Sequence, residues 1–94
     1  MRGASSGVGI AFAKLLKVRF PHIVLHGSTR NPAKATHLQA VGFDEVITEA
    51  DGKLQTDQSY DKILELVGPA TLCDSFTRIN EYGIVCNTGQ LGNI

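Results

Sequence analysis

The chain has 94 residues, 43% hydrophobic and 19% charged, with nine basic residues balancing nine acidic ones. That is a single small domain of ordinary globular composition, with no basic excess for nucleic acid or a polybasic membrane surface. No apolar run nears the roughly 20 residues of a membrane span, and Met1-Arg2 leads into glycine rather than a signal-peptide core.

The first informative stretch is Gly3-Ala4-Ser5-Ser6-Gly7-Val8-Gly9. So many glycines and serines predict a tight turn, and the segment behind it is apolar with helical spacing. A turn at a helix start leaves backbone N–H groups without partners, backed by the positive end of the helix dipole. Such a site suits phosphate or pyrophosphate. Gly9 has a second use, because a missing side chain lets the helix lie close to a sheet. The stretch departs from the strict Gly-x-Gly-x-x-Gly, since Ala4 and Ser6 stand at the first two glycine positions. It also reads as a plain glycine-rich connection, so the rest of the chain must decide.

Only Met1 to Ala4 stand where a buried strand should precede this turn. The chain is therefore expected to be a piece of a larger protein, cut inside its first strand. A helix is predicted from Gly7 to Arg19, with Val8, Phe12, Leu15 and Leu16 on its apolar face. Phe20-Pro21 ends it.

His22 to Gly27 is short, β-branched and apolar, as a strand buried on both faces would be. Asn31 can cap a helix that begins at Pro32 and runs through Val41, with Leu38 and Val41 as core residues and Gly42 as terminator. A short strand is predicted over Phe43–Thr48, then a polar loop from Glu49 to Ser59 with a turn signal at Asp51-Gly52. Tyr60–Val67 reads as a fourth strand. Pro69–Asn80 follows as a helix facing inward through Leu72, Phe76 and Ile79. Tyr82-Gly83 then turns the chain into a fifth strand, Ile84–Thr88. Alternation of this kind predicts a three-layer α/β domain over residues 1–94, a doubly wound parallel sheet in spatial order 3-2-1-4-5.

The end of the second strand bears on the ligand. About 20 positions beyond the glycine turn, this fold commonly places an acid on the ribose hydroxyls of NAD. Here stand Ser28, Thr29 and Arg30, with Lys34 one turn on and no carboxylate before Asp44. Two cations and two hydroxyls suit a phosphate monoester, so a 2′-phosphate site and NADP(H) are expected.

Four stretches carry a family resemblance: Arg2 to Gly9, Gly27 to Lys34, Tyr60 to Gly68, and Gly83 to Gly89. In order and spacing they resemble the cofactor domain of the medium-chain dehydrogenase/reductases. They look most like its NADPH-dependent quinone oxidoreductase branch, often labelled zinc-type alcohol dehydrogenases. The resemblance implies that Ser5, Ser6, Gly7 and Val8 meet the pyrophosphate through backbone N–H groups. It places Ser28, Thr29, Arg30 and Lys34 at the 2′-phosphate, and Val67, Gly68, Thr88 and Gly89 along the adenosine and nicotinamide sides of a cleft. It further implies an oxidoreductase that moves hydride to or from a quinone, enone or alcohol/carbonyl substrate. Substrate would then be a small molecule handled by the longer enzyme, with a homodimer compatible with that picture.

The glycine turn is also close to that of the short-chain dehydrogenases. That family places an Asn-Asn-Ala-Gly-like segment after its fourth strand, where this chain has Glu65-Leu66-Val67-Gly68-Pro69. A nucleotide-binding module without redox chemistry is the other alternative. His22, His26 and His37 lack metal-ligand spacing, so no metal site is expected. Cys73 and Cys86 read as buried thiols of a reducing cytoplasm. No residue is assigned to catalysis.

Overall fold

The structure, a computed structural model, describes residues 1–87. Its elements are α1 (Gly7–Arg19), β1 (His26–Thr29), a 3-10 turn (Pro32–Lys34), α2 (Ala35–Val41), β2 (Glu45–Ala50), β3 (Lys53–Leu54), β4 (Tyr60–Glu65), α3 (Pro69–Thr77) and β5 (Ile79–Asn87). The domain is α/β. Its strands form two sheets, β1-β2-β3 and β4-β5, and β3 runs antiparallel to β2. The N-terminal segment lies between them. Arg2 N–H donates to Leu64 O and Leu66 N–H donates to Arg2 O on one side; on the other, Ser28 N–H donates to Met1 O and Ala4 N–H to Ser28 O. Among the described residues no helix is long and apolar enough to cross a membrane.

Local signals place several elements where the sequence predicts them. α1 starts and stops at the expected residues, with Ser6 as N-cap and Lys17 and Arg19 in its last turn, where cations suit the dipole. Asn31 accepts from Ala33 N–H at the head of the 3-10 turn, and Gly42, at φ 132°, closes α2. Leu38 is fully buried, in a core with Ala4, Ala13, Leu25 and Phe43.

Other expectations are corrected. The buried face of α1 is Gly9 and Ala13, flanked by Ile10 and Leu16, while Val8, Phe12 and Leu15 are exposed. A Cβ on Gly9 would lie 2.8 Å from the carbonyl oxygens of both Gly3 and Ala4, so the small-residue face is the one that fits. β1 begins at His26, not His22. Leu25 N–H donates to the Asp44 side chain, its carbonyl accepts from Asp44 N–H, and Lys17 Nζ donates to Ile23 O, so the chain before His26 is tied largely by side chains and its ladder begins at His26. β2 runs on through Ala50, and the predicted loop opens with a hairpin: Asp51 and Gly52 both take positive φ and turn the chain into β3.

α3 ends three residues early, and its inward side chains are Thr71 and Ser75, with Phe76 exposed. The predicted turn at Tyr82-Gly83 falls inside β5, where the pairing slips from Tyr60↔Ile79 to Lys62↔Ile84. Tyr82 there has φ 63°. Cys73 and Cys86 are free and exposed rather than buried. Cys86 lies on the same face of β5 as the exposed Ile84, two residues before it, and that face is uncovered there.

Strand alternation sends neighbouring residues to opposite faces. Val46 packs on the apolar core, whereas Ile47 lines a small gap with Leu54 and Ile63, and Glu49 reaches Arg2. One face is therefore apolar under α1 and α2. The other, under α3 and the hairpin, carries charge.

Candidate functional site

The glycine turn is held by its own serine. Ser6 Oγ donates to Gly3 O (2.9 Å) and accepts from Gly9 N–H (3.0 Å), and Ser6 N–H donates to Gly3 O. This leaves the N–H groups of Ser5, Gly7 and Val8 with no acceptor among the described residues. No acidic side chain stands in the first turn of α1, so nothing opposes its positive end. Above Gly7 the space is open: a Cβ there would meet nothing within 4 Å. The turn can bind an anion through main-chain donors.

The end of β1 lies beside this turn through the Ala4–Ser28 backbone bond. The four residues singled out there divide. Ser28 is buried and its hydroxyl donates to Glu49 Oε1 (2.8 Å). Thr29 is buried and its Oγ1 accepts from Asn31 N–H (3.1 Å). Arg30 and Lys34 are exposed and, among the described residues, neither side chain has a hydrogen-bond or ion-pair partner. The later end of β1 is the cause, since the strand runs two residues past the predicted Gly27, takes in Ser28 and Thr29 and leaves the cations beyond it.

The third limb follows β4. Glu65, fully buried, accepts at Oε1 from Val67 N–H (3.1 Å), Gly68 N–H (3.3 Å) and Thr71 Oγ1 (2.6 Å), and at Oε2 from Ser75 Oγ (2.6 Å). The carboxylate thus sits at the head of α3, where negative charge is favoured. It also holds the backbone at Val67 and Gly68. Thr88 and Gly89 lie outside the described residues.

Between the limbs sits a cluster that sequence reasoning missed. Arg2 is 1% exposed. Its Nε meets Glu49 Oε1 at 2.6 Å and lies 3.8 Å from Glu65 Oε2; its Nη1 meets Asp74 Oδ2 at 2.9 Å. Thr71 O, Ser75 Oγ and Gly52 O take its remaining bonds. Asp74 also accepts from Leu54 N–H and pairs with Arg78, whose guanidinium donates to Leu54 O and Thr56 O. A signal was present. Arg2 at a strand position and Glu65 within Ile63-Leu64-Glu65-Leu66-Val67 are charges where burial is expected, and buried charges require partners.

Asp74 makes this cluster sensitive to acid. Burial pushes its carboxyl up, but the Leu54 N–H, the Arg2 guanidinium and the charge of Arg78 outweigh that and hold it below its ordinary 3.8. A carboxylate depressed in the folded state contributes stability that is full above the unfolded value and drains as pH falls through the folded one. Asp44 is depressed as well, by Lys17 and the Leu25 N–H. Acid unfolding followed by circular dichroism should therefore set in below roughly pH 5. Asp74→Asn should flatten that limb, and an unchanged acid profile would remove Asp74 from this role.

A glycine turn with free N–H groups at a helix start, with two exposed cations past the neighbouring strand end, gives this α/β domain an edge suited to an anion. No protein-family model matches the chain, and no curated protein matches it by sequence. Solved structures do. AibC superposes with a TM-score of 0.80 at 28% identity over 99% of this chain. Bacillus subtilis YhfP, solved with NAD bound, gives 0.76 at 31% identity over 97%. Escherichia coli K-12 YhdH, solved with NADPH bound, shares the fold at 0.74 and 21% identity over 92%. The chain spans only 27–29% of the length of these proteins. The likeness is that of a cofactor-domain piece of the medium-chain dehydrogenase/reductase superfamily, the resemblance that the sequence carries.

Proposed function

We propose that this chain is the NADP(H)-binding part of an oxidoreductase of the quinone oxidoreductase type. In this reading residues 1–4 complete the central strand of one parallel core, giving the order 3-2-1-4-5. The hydrogen bonds that this segment makes to both β1 and β4 support that arrangement. The residues present fit the cofactor. Gly7 and Val8 offer free N–H groups to a pyrophosphate, with the backbone of Ser5 and Ser6 completing the turn. Arg30 and Lys34 face a 2′-phosphate, with Ser28 and Thr29 shaping the strand end behind them. Val67 and Gly68 line one wall; Thr88 and Gly89, which the family resemblance assigns to the cofactor, lie outside the described residues. NADPH when bound supplies the hydride; the chain's own residues bind and orient it. Quinones or enones are the substrate class that the family resemblance favours, handled by the longer protein.

The observation that carries this reading is the pair Arg30 and Lys34, both cationic and exposed just past the end of β1, with side chains that have no partner among the described residues. Charge-assisted bonds at a solvated rim should favour NADPH over NADH by roughly 10- to 100-fold. Calorimetric titration of the chain with each cofactor tests this. Arg30→Ala should weaken NADPH and leave NADH nearly untouched, and the preference should shrink with added salt. Equal affinity for both cofactors in the unmodified chain would end the NADPH assignment. An equal loss for both in Arg30→Ala would give Arg30 to the fold instead.

A further inference from the structure

We infer that the buried charge cluster is a positioning device, in which Arg2, Glu49 and Glu65 hold the three limbs of the cofactor edge in one mutual arrangement. This rests on reading that edge as the dinucleotide site. Each limb leaves the sheet at, or one residue past, a residue whose side chain enters the cluster. The glycine turn follows Arg2. The limb from Arg30 to Lys34 follows Thr29, the neighbour of Ser28, whose hydroxyl binds Glu49 Oε1, the same oxygen that Arg2 Nε meets. The Val67–Gly68 limb follows Glu65, whose Oε1 accepts both of its N–H groups. Arg2 and Glu65 also face each other as a parallel backbone bridge. One guanidinium, set among the carboxylates of Glu49, Glu65 and Asp74, therefore reaches the anchor of every limb directly or through a single atom.

Burial of charge is a poor route to stability, because an apolar core of the same shape often serves as well. Charge-assisted bonds add direction. They have short, fixed geometry, and displacing one partner leaves the others unsatisfied. Movement of one limb is thereby opposed by the bonds of the other two. The exposed Lys17–Asp44 pair has no such reach: it ties α1 to the chain before β1 and touches no limb.

Glu49 makes the sharpest test, because it bonds no limb backbone itself. Glu49→Gln keeps the shape and the acceptor oxygen and removes the charge. Amide hydrogen exchange of the 15N-labelled chain should then quicken tenfold or more at Ala4, which binds Ser28 O, and at Val67 and Gly68, which bind Glu65. Gly42 and Phe43, bonded to Leu38 O, should exchange as before. Faster exchange confined to the neighbours of Glu49, or an equal factor at Gly42 and Phe43, would overturn the inference. Should Glu49→Gln not fold, Ser28→Ala removes one hydroxyl and is read at the same amides. A second arm titrates the folded variant with NADPH and NADH. Both should weaken about tenfold together, unlike the selective loss in Arg30→Ala; unchanged affinity for both would overturn the inference. An unmodified chain that binds neither dinucleotide would overturn the proposed function, and the exchange pattern would still decide the role of the cluster.

Discussion

Arg2→Ala is expected to abolish cooperative folding of the chain under conditions where the unmodified protein is folded. The guanidinium is enclosed, and its donors meet Glu49, Asp74, Ser75, Thr71 O and Gly52 O. Removing it leaves Glu49 and Glu65 buried without their cation. Breaking a buried pair from one side costs about 3–5 kcal/mol, because the surviving charge is stranded. Domains have only about 5–15 kcal/mol in total, and one this small lies near the lower end. Urea unfolding followed by circular dichroism should therefore show no folded baseline, or a midpoint shifted by most of its value. Arg2→Lys should fall between, since an ammonium keeps the charge but not the planar fork that reaches several acceptors at once. A loss below about 1 kcal/mol in Arg2→Ala would mean that the carboxylates find water, and that the cluster is not closed as described.

Gly7→Val is expected to eliminate dinucleotide binding while leaving the fold intact. Gly7 is the first residue of α1, outside the left-handed region, and a Cβ there meets no atom of the chain. Valine is no worse a helix former than glycine, so stability should change by less than about 0.5 kcal/mol. The isopropyl group would instead fill the open space above the free N–H groups of Gly7 and Val8. A ligand that must approach those donors within about 3 Å is then excluded. Calorimetry should register no NADPH uptake at concentrations that saturate the unmodified chain, alongside a superimposable thermal melt. Retained affinity would show that the turn is only structural. Gly9 would be the wrong position to test, because a side chain there collides with two backbone carbonyls and any loss of binding would follow from misfolding.

The features legible in the sequence are those that neighbouring residues settle among themselves. The start of α1 at Gly7 is settled within three residues, where Ser6 Oγ accepts from Gly9 N–H, and Asn31 caps the next segment over a similarly short reach. Gly42 stops α2 through its own φ. The glycine turn and the cations after β1 were legible for the same reason, as backbone conformation and charge are written locally. Spacing could not choose between two stripes of α1. Val8, Phe12 and Leu15 repeat as well as Gly9, Ala13 and Leu16 do, and the close carbonyls of Gly3 and Ala4 admit only the second against the sheet. Nor could it place the start of β1, which depends on Asp44 capturing Leu25 N–H from 19 residues away. The charge cluster lay furthest from view. Arg2 meets Glu49 and Asp74 across 47 and 72 residues, and a guanidinium becomes a core group only when folding brings its carboxylates to it and excludes the water that would otherwise hold each of them apart.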